Sequence, residues 1–217
     1  MNRRVAAEAL GTALLVYVIV GSGIVAESLS DDAGLRLFTH AIAVGLGLAA
    51  LIAMLQTVSG SHFNPSVTLA FWRIRAIEGT EATRYMAAQI IGGFAGVVAA
   101  HMSFEKALAS VSTTTRGGLG IVLTEAVATF VLVLVILALM RTGRTAAIPI
   151  AVGAWVASAV YATSSTGFAN PAVTIARIFT DTYTGIAPTW VPGFLIAQVV
   201  AGIAAAAAAI HFYPETT

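Results

Sequence analysis

The chain has 217 residues, of which 58% are hydrophobic and only 10% are charged. Soluble domains carry about 25% charged residues, so this composition excludes an ordinary soluble protein. The net charge is +1 and the basic residues are scattered, which gives no indication of a nucleic-acid partner. The absence of cysteine excludes disulfides, thiol catalysis and thiolate-bound metals.

Six apolar stretches follow one another along the chain, each close to the roughly 20 residues that a membrane-spanning helix needs. They cover residues 5–26, 37–57, 82–103, 119–140, 146–164 and 189–212. The first has no small-residue cleavage region, so we expect a retained helix and not a removed signal peptide. Most of the 11 Lys and Arg residues fall on the cytoplasmic side if both termini are cytoplasmic. The sequence therefore predicts an all-α, multi-pass membrane protein with both termini in the cytoplasm.

The second half of the chain repeats the first. Three segments recur in the same order: residues 6–20 in 123–137, 64–70 in 170–176, and 87–96 in 196–205. With three membrane helices in each half, the second copy enters the membrane upside down, and a functional site is expected near the midplane. We expect a single domain over 1–217, with half-repeats of about 1–110 and 115–217.

Two short apolar segments, 61–72 and 168–179, are too short to cross the bilayer and too apolar for solvated loops. They fit re-entrant half-helices, because irregular backbone at membrane depth is tolerated only inside protein or beside water. Asn64 and Asn170 are each followed by proline, a combination that favours a helix start, although a simple turn is the alternative. If each side-chain oxygen caps its own helix, both amide NH₂ groups are left entirely free to face a lumen, and the positive helix ends repel cations.

These motifs resemble those of the aquaporin and aquaglyceroporin (major intrinsic protein) family. The resemblance rests on AEALGT in the first helix, SGSHFNPSVT, TGFANPAVT, and the paired Gln89 and Gln198. It implies six tilted helices and two half-helices around one pore per subunit, a homotetramer, and passive conduction without a cofactor. The matched pore motifs are Asn64, Pro65, Ser66, Asn170, Pro171 and Ala172. We expect no enzyme, because no nucleophile, base and orienting group cluster along the chain.

Glu8 and Glu125 occupy matched positions in the first and fourth membrane helices. A carboxylate inside the membrane is a functional candidate, so proton coupling is one interpretation. The family resemblance implies a structural role instead, in which each carboxylate accepts hydrogen bonds from a half-helix loop. We expect His62 to join this polar network and not a metal site, because no other histidine lies at ligand spacing.

The family selects solutes at a constriction of four residues, the last of which is usually an arginine directly after Asn-Pro-Ala. Counting from the motifs places the four positions at Val44, at Ser158 or Ala159, at Gly167 or Phe168, and at Val173. This set has no histidine and no arginine, so we expect a wide and largely apolar ring that admits larger uncharged solutes. Arg177 lies four residues after Val173, which predicts a place in the outer vestibule; pairing with Asp181 is the alternative.

The segment NPAVTIARIFTDTYTGIAP is similar to that of a bacterial subgroup linked to arsenic resistance and related to nodulin-type metalloid channels. This resemblance implies neutral metalloid hydroxides such as arsenite and antimonite as solutes, with glycerol and water. The alternatives are an ordinary water or glycerol facilitator and an ion-coupled secondary transporter, which also uses inverted repeats.

Overall fold

The computed structural model describes residues 2–214, and the regular structure in this range is helical. Within residues 2–214, six long helices are apolar enough to cross a membrane. They are α1 (Arg3–Leu29), α2 (Ala33–Ser59), α4 (Gly79–Ser103), α5 (Leu119–Arg141), α6 (Ile148–Ala162) and α8 (Val191–Phe212). The two short helices are α3 (Pro65–Arg73) and α7 (Pro171–Ala176). The predicted set of six membrane helices and two half-helices is therefore confirmed.

The half-helices begin where the Asn-Pro pairs predict. The Asn64 side chain accepts a hydrogen bond from the backbone N–H of Ser66, and Pro65 occupies the first helical position. The Asn170 side chain accepts from the backbone N–H groups of Ala172 and Val173. The cap satisfies N–H groups that a helix start would otherwise leave without a partner.

The half-helices are held between the two halves of the chain. Both α3 and α7 pack against α4 and α8, while α1 packs on α4 and α5 packs on α8. The contact between α2 and α6 is close because Gly45 faces Gly153, where a Cβ would lie 2.4 Å from the carbonyl oxygen of Gly45. Small residues allow such approach between membrane helices.

The exterior of the helix bundle is apolar and its interior contains polar groups. Large aliphatic side chains on four helices are more than 60% exposed: Leu46, Ile91, Leu123 and Ile196. The fully buried polar side chains include two glutamates and two glutamines: Glu8, Gln89, Glu125 and Gln198. A lipid environment explains the first set, because lipid tails are as apolar as leucine. The second set requires hydrogen-bond partners inside the protein.

Candidate functional site

A cavity lies between the two halves of the chain. Its empty volume is about 640 Å³, which includes the part that is open to solvent. Its wall is formed by aliphatic side chains of α1, α2, α5 and α6: Leu15, Ile19, Val44, Leu48, Ile52, Leu132, Ile136, Val152, Val156 and Val160. A second cavity shares residues Ile52, Ser61, His62, Val67 and Ile136 with the first. The two cavities thus meet at these five residues, and we refer to this end of the first cavity as the inner mouth, following the orientation predicted from the charge bias. Asn64 and Asn170 lie on the wall of the first cavity.

The two asparagines are linked across the halves by reciprocal hydrogen bonds. The Nδ2 of Asn64 donates to the carbonyl oxygen of Ala169 at 2.7 Å, and the Nδ2 of Asn170 donates to that of Phe63 at 2.8 Å. The prediction that both NH₂ groups are entirely free is therefore wrong. Each amide has one hydrogen bound to the opposite half, because the loop carbonyls need donors in a buried site. One N–H of each asparagine remains for a solute.

The two loops before the half-helices share an unusual backbone conformation. Positive φ occurs four, three and one residues before the asparagine in both loops, where Gly60 and Gly167 are glycines and Ser61 (52°), Phe63 (47°), Thr166 (61°) and Ala169 (48°) are not. Such conformations cost on the order of 1–3 kcal/mol each and persist only where the surroundings hold them. The buried glutamates supply that support.

Glu8 holds the first loop through four donors. Its Oε1 accepts from the Ser59 hydroxyl at 2.6 Å and from the His62 N–H at 3.0 Å. Its Oε2 accepts from the Phe63 N–H at 2.7 Å and from the Gln89 Nε2 at 2.8 Å. All four partners are donors, which suits an ionised carboxylate.

Glu125 holds the second loop in the same way. Its Oε1 accepts from the Phe168 N–H at 2.8 Å, and its Oε2 accepts from the Ala169 N–H at 2.9 Å and the Gln198 Nε2 at 2.7 Å. Neither Glu8 nor Glu125 lines the cavity. Their contacts are those that the structural interpretation predicts.

His62 belongs to the first network and faces the cavity. The Thr68 hydroxyl donates to the Asn64 carbonyl oxygen and accepts from Gln89 Nε2. The His62 Nδ1, 3.1 Å from the same hydroxyl oxygen, must therefore be the donor in that contact. This tautomer leaves the His62 Nε2 as an acceptor near the inner mouth. Among the described residues, no group of three or more metal-ligating side chains is found.

Of the predicted filter residues, four line the cavity: Val44, Gly167, Phe168 and Val173. The two candidates for the α6 position do not. Ser158 is exposed, and its hydroxyl donates to the Ala154 carbonyl oxygen. Ala159 is buried against the loop, where a Cβ on Gly167 would lie 2.9 Å from the Ala159 Cβ. The count from the family interval is therefore wrong on α6.

Val156 and Val160 face the cavity from α6 instead. They are four residues apart and share a helix face, whereas Ser158 is two residues from each and so lies about 200° around the helix. The alternation of small and branched residues in this apolar helix gave no sign of which face is inward. The cavity wall thus includes valines from α2, α6 and α7: Val44, Val156, Val160 and Val173.

We refer to the mouth bordered by residues 104–118 and 180–187 as the outer mouth, following the orientation predicted from the charge bias. Arg177 is buried with 3% exposure, its Nε donates to the Thr184 carbonyl oxygen, and its guanidinium carbon lies 3.3 Å from the Phe168 ring centroid. The alternative pairing with Asp181 does not occur, because Asp181 accepts from the N–H and hydroxyl of Thr113.

A second arginine near the outer mouth, Arg116, was not predicted. Its side chain donates to the carbonyl oxygens of Gly185 (2.7 Å) and Tyr183 (2.9 Å) and to the Thr166 hydroxyl (3.3 Å). Burial lowers the pKa of Arg116, and interactions with Tyr183 and then Glu125 oppose that shift. Arg116 thus ties the segment between the halves to the loop after α7. Its partners lie 50 to 69 residues away, so no local pattern marks them.

Two opposed half-helices that meet at paired asparagines, beside a cavity lined by α1, α2, α5 and α6 of a six-helix membrane bundle, define a membrane channel. The model of the family described as "Major intrinsic protein" matches residues 1–169. The chain therefore belongs to the major intrinsic protein family.

Similar proteins agree with this assignment. The chain is 43% identical over 207 residues to "Aquaglyceroporin AqpS" of Rhizobium meliloti, covering 95% of this chain and 88% of the relative. It is 30% identical to "Probable aquaporin AqpM" of Archaeoglobus fulgidus, with 95% of both chains covered. The crystal structure of the aquaglyceroporin from Plasmodium falciparum matches with a TM-score of 0.75 at 20% identity, over 94% of this chain and 93% of that one. This last match bears on the fold.

Proposed function

We propose that the chain is a passive channel for small neutral solutes, and that trivalent metalloid hydroxides such as arsenite and antimonite pass through it together with glycerol and water. The observation that carries this proposal is the chemistry of the filter region. Val44, Val156 and Val173 line it with aliphatic side chains, and the paired asparagine amides follow along the cavity. No fixed charge stands at position 173, where the family usually has arginine.

A compact neutral triol suits such a pathway. Its hydroxyl oxygens can accept from the remaining N–H of each asparagine, while the aliphatic wall does not compete for them. Anions are attracted less than they would be beside an arginine at position 173. The 43% identity to a protein named as an aquaglyceroporin and the resemblance of 170–188 to arsenic-linked channels support the proposal.

An ordinary water or glycerol facilitator is the second candidate, favoured by the relative named as a probable aquaporin. An ion-coupled transporter is disfavoured by the contacts of the intramembrane carboxylates. Coupling would require Glu8 or Glu125 to exchange protons with the pathway. Both are occupied by donors from their own loops and lie away from the cavity.

Stopped-flow light scattering on proteoliposomes tests the proposal. We expect water, glycerol and arsenite each to equilibrate faster than in protein-free liposomes, with rates unchanged when ion gradients are collapsed. Glycerol flux without arsenite flux would refute the metalloid solutes and leave an ordinary facilitator. A solute rate that falls with the gradients would refute passive conduction.

We further propose that the chain is one channel domain of two half-repeats, and that it works as a homotetramer in the bacterial plasma membrane with both termini in the cytoplasm. The family resemblance and the charge bias support these points. Native mass spectrometry from detergent should show four chains, and a fusion reporter at either terminus should respond from the cytoplasm. A monomer or an external terminus would contradict them.

A further inference from the structure

Arg177 is a buried cation without a carboxylate partner. Among residues 2–214, ion pairs join Arg4 to Glu81 and Arg36 to Asp31, and Arg177 takes part in neither. A buried charge is costly unless hydrogen bonds and an opposite charge compensate for it. Here the protein supplies one backbone carbonyl and the face of Phe168. The rest of the guanidinium must be solvated from the cavity that it lines.

The donors of Arg177 differ from those of Arg116 in this respect. All three side-chain nitrogens of Arg116 bind protein oxygens, which identifies it as a brace of the outer loops. Of the Arg177 nitrogens, Nε alone donates to a described residue. The two terminal nitrogens are therefore available to whatever occupies the cavity. Stacking on Phe168 fixes the plane of the guanidinium and so the direction of these donors.

His40 lines the same cavity from α2. Its Nδ1 lies 2.8 Å from the Ser22 hydroxyl, and its ring stands edge-on to Tyr183 with centroids 5.8 Å apart. Its Nε2 has no hydrogen-bond partner among the described residues, so one ring nitrogen is left for the cavity in either tautomer. The side chain is 4% exposed, which means that the ring is held by protein on most sides.

His40 and Arg177 have matching places in the pathway. His40 precedes Val44 by four residues, and Arg177 follows Val173 by four residues. Both displacements run towards the outer mouth and amount to about one helical turn, or roughly 5.4 Å. The predicted constriction has no histidine and no arginine, but His40 and Arg177 line the same cavity one turn further out.

We propose that His40, Phe168 and Arg177 form a second, outer filter that rejects cations and binds the hydroxyl groups of neutral solutes before they reach the aliphatic ring. Its solute role rests on the proposed function. Its charge role does not, because a fixed guanidinium in a narrow passage repels cations whatever the transported solute is. In this arrangement Arg177 selects solutes by charge, and the aliphatic ring at Val44 and Val173 selects them by size.

Single-cysteine chemistry tests the charge role directly, because the chain has no native cysteine. The thiol is placed beyond the outer filter by Val44→Cys, and its modification by Ag⁺ or by neutral HgCl₂ is timed in right-side-out and inverted membrane vesicles. Thiols left unmodified are counted with a fluorescent maleimide after denaturation. In the background of Arg177→Met, we expect the Ag⁺ rate to rise about tenfold from the outer side, within the range by which charge changes association rates. The HgCl₂ rate should change less than about twofold, since it carries no charge.

Arg36→Met is the matched control, because Arg36 is an outer arginine that pairs with Asp31 away from the cavity. It should leave both rates unchanged. Equal Ag⁺ acceleration in both variants, or equal acceleration of Ag⁺ and HgCl₂ by Arg177→Met, would overturn the charge role. Arg177→Lys keeps the charge and should keep Ag⁺ slow; fast Ag⁺ in this variant would contradict the proposal even if Arg177→Met fails to fold.

A flux measurement tests the solute role. Arg177→Met and His40→Ala should each raise the permeability of erythritol relative to glycerol, and the double variant should gain less than the product of the two effects because both open one constriction. Effects that multiply would overturn a shared filter. A wild-type protein that passes no glycerol would refute the proposed function alone, because the Ag⁺ rates still decide whether the outer filter exists.

Discussion

Replacing Glu125 with leucine is expected to abolish accumulation of folded protein. The change leaves three buried donors without their acceptor: the N–H groups of Phe168 and Ala169 and the Gln198 amide. Each orphaned group costs about 1–3 kcal/mol, so the loss approaches the whole stability of about 5–15 kcal/mol of a typical domain. The yield of monodisperse protein in size-exclusion chromatography and its melting temperature measure the effect.

Thr129→Val is the matched control on the same helix. The Thr129 hydroxyl is also fully buried, but it only adds a bond to the Glu125 backbone carbonyl, which the helix already engages. Valine has nearly the same shape, so the melting temperature should change little. Glu125→Gln keeps the shape and one acceptor and should fall between the two. If the Glu125→Leu protein had the same melting temperature as the wild type, the glutamate would not be what holds the loop.

Introducing the arginine that the family usually carries, by Val173→Arg, should lower glycerol permeability at least about tenfold while water is affected less. The longer side chain enters a ring otherwise lined by Val44 and Val156 and brings donors that hold polar solutes. Arg177 lies one turn away, and like charges at such distances repel by about 3–4 kcal/mol at an effective dielectric near 20. Stopped-flow rates for water, glycerol and arsenite in the same proteoliposomes measure the outcome.

Val173→Leu serves as the comparison, because it adds one methylene without charge. It should reduce glycerol flux only slightly. If Val173→Arg slows water, glycerol and arsenite by the same factor, misfolding and not selection would explain the loss. If it slows none of them, position 173 does not stand in the narrow part of the pathway.

The placement of the half-helices followed from short-range chemistry. An asparagine before a proline starts a helix wherever it occurs, and two copies in inverted halves are expected to meet. The hydrogen-bond acceptors of the asparagine amides could not be predicted from the sequence. The acceptors of Asn64 and Asn170 lie 105 and 107 residues away, and only the folded chain brings those carbonyls to them.

The filter residues were likewise predictable only in part. Val44 and Val173 were found because each is tied by a fixed interval to an Asn-Pro motif. The position on α6 depends on the length and path of the loop that leads to Asn170, and an error of two residues turns the helix face by about 200°. His40 was not predicted as a filter residue, because the family interval gives Val44, and His40 lies one helical turn before it.

The crossed bonds between the loops have a consequence for biogenesis. Asn64 emerges from the ribosome more than a hundred residues before Ala169, the residue whose carbonyl oxygen accepts the hydrogen bond from its amide. Until the second half has been inserted, the Asn64 amide therefore lacks the acceptor that it has in the folded protein. We expect a chain interrupted before Ala169 to be unstable, because this bond and its counterpart from Asn170 to Phe63 cannot form.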